Sequence, residues 1–348
     1  MRRSPAAVAL MALALAGCSA GPSASRPPSA AASSPRAPGS AGSPAGPPAR
    51  PARPAHVVTR LVRWHIPVPM SRAAVAAHPP GTLLLAGGLV GGTSTTRVSA
   101  LDTGTGRTHP AGRLAVPTHD GAALTLHGHS FVVGGGSASS TDLVQELAPP
   151  GRAARVVAHL PRPRSDDGAA RFGDVGFVVG GYDGNVPDRS VLATRDGRTY
   201  RPVARLAVPV RYAAVAALGG DLFVIGGEAV GGPHDGAPVD LIQRVDVRRH
   251  RAAVVGHLPA PVQDAVAFRL GATLYLAGGR TSSAPSTRGT RAVYALDGAG
   301  TSVHRVARLR RPVADAGVAV LGRTAWLVGG ESAGRTLDLV QTVTWGTP

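Results

Sequence analysis

Ten side chains of this 348-residue chain recur at positions that suggest one shared ring. Arg72, Asp120, Asp166, Tyr212, Asp264 and Asp315 each lie three residues beyond a proline, namely Pro69, Pro117, Pro163, Pro209, Pro261 and Pro312. Tyr182, Glu228, Arg280 and Glu331 each directly follow a pair of glycines, with Asp183 next to the first of them. Carboxylates interleaved with Arg and Tyr can clamp a hydroxyl-rich ligand or exchange protons with it. The repeated Asp has a plainer reading, as a strand-entry cap whose carboxylate accepts backbone N–H groups. Arg72 and Tyr212 break that repeat and are the stronger ligand candidates. Glu228 and Glu331 gain weight because the chain has only one other Glu, Glu146.

Other reactive side chains offer less. The twelve His are scattered, and His127-Gly128-His129 has no third ligand near it in sequence. His119-Asp120 can form an orienting pair, but no nucleophile in a motif context accompanies it. No metal, no cofactor and no catalytic residue is expected. The single Cys, Cys18, excludes a disulfide framework and a thiolate zinc cluster.

The elements that must position the ten residues are visible as six repeats. Apolar runs end in double glycines at Gly87-Gly88, Gly134-Gly135, Gly180-Gly181, Gly226-Gly227, Gly278-Gly279 and Gly329-Gly330. Their period of 46 to 52 residues is that of a four-stranded blade. Five of the six landmark prolines precede the first Gly of their pair by 17 residues, and Pro69 by 18. From about residue 56 to 348 the chain resembles the kelch repeat, which implies an all-β, six-bladed propeller. The Tyr and Trp that kelch repeats carry downstream of the glycines survive only in fragments such as Tyr200, Tyr294 and Trp64. Aliphatic side chains are therefore expected to take over part of the packing between blades.

Each repeat reads as four strands, A to D. Small residues such as Ala213-Ala214-Val215-Ala216-Ala217 form the innermost strand A, where strands converge on a channel. Arg155, Arg205, Arg305 and Arg308 fall on the outermost strand D, where charge blocks edge-to-edge pairing. The sixth repeat ends without a strand D, and the run Val57 to Trp64 is expected to supply it and close the ring. Even repeats alone carry Asp142-Leu143-Val144-Gln145, Asp240-Leu241-Ile242-Gln243 and Asp338-Leu339-Val340-Gln341, read as Asp and Gln meeting backbone groups at a strand start. The ten candidates would then lie on the B–C and D–A loops at one end of the ring. That mouth is predicted to be acidic.

The N-terminal segment reads as an address. Arg2 and Arg3 precede an apolar stretch, Ala6 to Ala16, that is too short to span a membrane. Leu15-Ala16-Gly17-Cys18 resembles the lipobox of bacterial lipoproteins, which implies lipid attachment at Cys18 and anchoring by more than one chain. Residues 1–18 are thus expected to be a lipoprotein signal, 19–55 a disordered Pro/Ala/Ser/Gly-rich tether, and 56–348 the propeller.

The formal charge of +17 comes from Arg alone, for the chain has no Lys. Six of the Arg precede residue 55, so the charge reads as compositional bias and no nucleic-acid partner is expected. Together these features imply an exported, membrane-anchored monomer that recognises a protein or glycan at the cell envelope through its loop face. The alternative implied by the resemblance is a carbohydrate-active, sialic-acid mutarotase-like propeller using Arg72, Asp120, Glu228 and Glu331. Copper-radical chemistry of the galactose oxidase type is excluded, because no Cys remains for its Cys–Tyr crosslink.

Overall fold

The computed structural model describes residues 56–148, 151–231, 235–284 and 286–346. The expected signal, the tether and Cys18 lie outside the described residues. Among the described residues there is no helix, and six sheets with antiparallel strands in the order A-B-C-D succeed one another along the chain, the first extended by a short parallel strand, Arg152–Ala153, on its strand D. The fold is a six-bladed β-propeller. Blade five shows the pattern: Gln263–Leu270, Thr273–Arg280, Ala292–Leu296 and Val303–Arg308 pair in that order. In the first five blades strands C and D carry a register shift, as between Val293 and Tyr294, and such bulges add the twist that splays a blade outward.

Ring closure follows the expected route. Val57–Leu61 pairs antiparallel with Val340–Trp345, Val57 opposite Trp345 and Leu61 opposite Gln341. It completes blade six, whose other strands are Gly317–Leu321 and Thr324–Val328. The strand ends at Leu61; Val62 N still donates to Val340 O at 3.1 Å, and Arg63 and Trp64 lie beyond the closing strand.

The core is divided into six clusters, one between each pair of neighbouring blades. Between blades four and five, for example, Phe223, Ile225 and Ile242 meet Leu274, Leu276 and Leu296. The third residue before each glycine pair is Phe131, Phe177, Phe223, Tyr275 or Trp326 in five blades and Leu84 in the first. Phe131 and Phe223 pack on the C–D turns of the next blades at Gly197 and Gly300, and Trp326 stacks on Trp64 at 6.2 Å. Aromatic packing between blades is thus carried on strand B, upstream of the glycines, and aliphatic side chains fill the rest of the clusters, in line with the part expected of them. Blade one alone lacks it, and Leu84 lines a cavity of about 810 Å³ on the turn face.

The glycine pairs are explained by a close approach. The amide of the second glycine donates to the carbonyl of the residue after the next blade's landmark proline at 2.8 Å in five blades, for instance Gly227 to Val262 O. Gly226 has φ +63°, and a Cβ there would run into that same carbonyl. Only glycine meets both demands.

The alternating motif also resolves. Gln145, Gln243 and Gln341 are almost fully buried, and each amide grips the D–A loop of the preceding blade. Gln243 Oε1 accepts from Val208 N at 2.9 Å while its Nε2 donates to Val208 O at 3.0 Å. The Asp members meet no strand-start backbone. They pair with histidines, His159 on strand D with Asp142, His257 on strand D with Asp240, and His65 beyond the closing strand with Asp338, each at 3.1 Å.

Candidate functional site

The six residues that follow the landmark prolines form the innermost ring of the loop face. All six have left-handed backbone, with φ between 53° and 58°. Their amides and carbonyls close a circle: Arg72 N donates to Asp315 O, Asp120 to Arg72, Asp166 to Asp120, Tyr212 to Asp166, Asp264 to Tyr212 and Asp315 to Asp264, at 2.9 to 3.2 Å. Asp tolerates the left-handed region better than most residues. That is why Asp recurs, and it corrects the cap reading: the ring carboxylates of Asp120 and Asp264 bond side chains, not strand-entry amides.

A second ring surrounds the first. Backbone bridges join Ser71 to Leu89, His119 to Gly136, Ser165 to Tyr182, Gln263 to Arg280 and Ala314 to Glu331, and Arg211 pairs with Glu228. These bridges bring Tyr182, Glu228, Arg280 and Glu331 beside the inner ring. All ten candidates thus gather at one end of the propeller. Asp183 does not join them. Its carboxylate accepts from Asn185 N and Val186 N and closes its own exposed turn.

Ion pairs knit the mouth. Arg72 Nη1 donates to Asp120 Oδ2 at 3.0 Å, and its Nε lies 3.5 Å from both Asp315 and Glu331. Arg280, 4% exposed, donates through Nε to Asp264 at 2.7 Å and pairs with Asp315. Ser71 donates to Glu331 at 2.7 Å. On the opposite side Arg211 pairs with Glu228 and lies over the rings of Tyr182 and Tyr212, 5.0 and 5.2 Å from their centroids.

Sequence reasoning missed Ser71, His119, Arg211, Gln263 and Asp167 as members of the site. The first four stand two residues beyond their prolines, a position as regular as the one that was read. His119 Nδ1 contacts Ser94 Oγ at 2.8 Å, and its Nε2 lies 3.6 Å from Asp120, the pairing foreseen for it.

The mouth encloses a cavity of about 150 Å³ lined by Arg72, Asp120, Asp166, Asp167, Tyr212, Asp264 and Asp315. Below it the channel is walled by the small residues of the A strands, such as Ala122, Gly168, Ala214 and Gly317. Asp167 stands where the two meet, its carboxyl oxygens buried and without a hydrogen-bond partner. Burial holds the Asp167 carboxyl well above its ordinary range, with Arg164 opposing. Burial, reinforced by the charge of Asp120, brings Asp166 up to about 7. Burial also raises Asp120, against the pull of Arg72. Near neutral pH the mouth therefore holds carboxyl groups that can donate as well as accept. With seven acids against Arg72, Arg211 and Arg280, it is acidic as predicted, on a chain that is basic overall.

No protein-family model matches the chain, and no curated protein matches it. Solved structures do. That of YjhT superposes with a TM-score of 0.67 over 81% of this chain and 99% of that one, at 15% identity. Such a likeness speaks for the fold alone, a six-bladed β-propeller.

Proposed function

We propose that this kelch-type propeller is an exported binding protein, lipid-anchored through Cys18, whose loop-face mouth recognises a hydroxyl-rich ligand, most simply a glycan unit. One observation carries the reading. At six equivalent left-handed positions four are Asp, which fits there readily, whereas Arg72 and Tyr212 bear a strain of about 1–2 kcal/mol each. Strain retained at two positions of a repeat is a mark of side chains kept for what they touch. Both face the cavity, beside an orphaned Asp167 carboxyl and an Arg72 Nε without a hydrogen-bond acceptor. Hydroxyl groups satisfy both kinds of site. Surplus negative charge disfavours an anionic ligand.

The test is calorimetric titration of glycans that bind the purified domain, against Arg72→Ala, Tyr212→Ala and Glu331→Ala. Each is expected to weaken binding by about 1–3 kcal/mol at a hot spot. His127→Ala, on the opposite end, should leave it unchanged. Loss confined to His127→Ala would place the site on the wrong face.

A second reading, a carbohydrate isomerase, is favoured by Asp166, whose value of about 7 suits a general acid–base at neutral pH. Nuclear magnetic resonance of a bound sugar distinguishes the two. Accelerated interconversion of its anomers, lost in Asp166→Asn or Asp120→Asn, would make the protein an enzyme.

A further inference from the structure

Outside the mouth, on the same face, blade five carries a cleft of about 510 Å³ lined by Arg288, Arg291, Arg305, Arg308, Arg310 and Arg311. No acid lines it. All twenty Asp and Glu of the chain fall within the described residues, and none forms an ion pair with any of these six arginines. All six are exposed. Protection of a sheet edge accounts for Arg305 and Arg308 on strand D. It does not account for Arg288 and Arg291 in the B–C loop or for Arg310 and Arg311 in the D–A loop.

The D–A pair also breaks the repeat. The two residues before each landmark proline are Val68 and Pro67, Val116 and Ala115, Arg162 and Pro161, Val208 and Ala207, or Ala260 and Pro259 in the other blades. Only blade five places two arginines there. The structure holds them in place from behind. Gln341 accepts from Arg311 N at 2.8 Å and donates to Arg311 O at 3.0 Å. Thr59, on the closing strand, donates to Arg308 O at 2.7 Å. Arg291 and Arg310 donate through Nε to Leu309 O and Thr59 O, at 2.7 and 3.3 Å, which leaves their terminal nitrogens free. Converging guanidinium groups with spare N–H donors match tetrahedral oxyanions in geometry and charge.

We propose that this cleft binds a linear polyanion bearing repeated phosphate groups. Like charges crowded without acids repel one another, and several phosphates along one chain relieve that repulsion together. No aromatic side chain lines the cleft, so bases gain no stacking platform and a nucleic acid gains nothing over its bare phosphates.

The experiment is titration of the purified domain with fluorescently labelled inorganic polyphosphate by anisotropy, across a series of salt concentrations. Arg308→Ala/Arg310→Ala/Arg311→Ala should weaken binding at least tenfold and flatten the dependence of log K on log salt, because fewer counterions are exchanged. The comparison variant Arg155→Ala/Arg201→Ala/Arg251→Ala loses the same charge from exposed strand-D positions on other blades, and should bind within about twofold of the parent. Arg311→Ala alone, whose pinning is through the backbone, should fold normally and show part of the loss. Equal loss in both triple variants would reduce the cleft to general charge attraction and overturn the proposal. So would a single-stranded oligonucleotide of equal charge binding tenfold tighter than polyphosphate.

Discussion

Among single residues, the mouth shows how one backbone demand sorts side chains. A left-handed position recurs six times. Asp, which tolerates that backbone, fills it four times, and Arg72 and Tyr212 fill the other two. The recurrence was legible from proline spacing, but its cause was not, since dihedral angles leave no mark in residue type except a preference for Asp. Asp167 escaped notice for the opposite reason: it stands next to a repeat position without belonging to it. Asp166 gives a pH test with a definite sign. Its folded-state value near 7 lies above the roughly 4 of an unfolded carboxylate. The stability it contributes is fully present below about pH 4 and is lost as pH rises through 7. Denaturant midpoints taken from pH 4.5 to 8 should therefore fall across that window. Asp166→Asn should flatten the fall in part, since Asp120 and Asp167 shift the same way. An unchanged slope in that variant would assign the effect elsewhere.

Strand B was the most legible element, because a run of apolar residues ended by an obligatory glycine pair leaves little freedom. Strand ends were less so. Strand D of blade five runs Val303–Arg308, so it contains the Arg305 and Arg308 placed on it from sequence but starts two residues earlier than the first of them. The Asp–His pairs across even blades were invisible because their partners lie 17 residues apart in two blades and 273 in the third, where the closing strand intervenes. That strand is the element with most at stake. Removing residues 56–66 takes Val57 and Ile66 from two inter-blade clusters and leaves Val340–Trp345 with an unpaired edge. The expected cost is about 3–6 kcal/mol, the value of two buried aliphatic side chains, together with self-association through the bare edge. Removing residues 19–50 should leave the melting temperature as it was. Both truncations melting alike would mean that the strand does not hold the ring shut.

For the whole molecule, charge is distributed against its own average. A chain of formal charge +17 builds an acidic mouth and, on the same face, an arginine cleft. Proteins that present opposite fields side by side can sort ligands by charge before any contact forms. Net charge, read from composition, conveyed neither. At this scale the anchor is testable in cells: Cys18→Ala should move the protein from the membrane fraction to the medium with an unchanged melting temperature. Retention of that variant at the membrane would count against lipid attachment there. The circle of six backbone hydrogen bonds at the mouth has its own consequence. All six donors point the same way around the axis, so each amide is shielded only while its neighbour stays in place, and none can open alone without loosening the next. The ring should therefore behave as one lock. In hydrogen–deuterium exchange the amides of Arg72, Asp120, Asp166, Tyr212, Asp264 and Asp315 should exchange at a common slow rate, and loosening any one blade should release all six together.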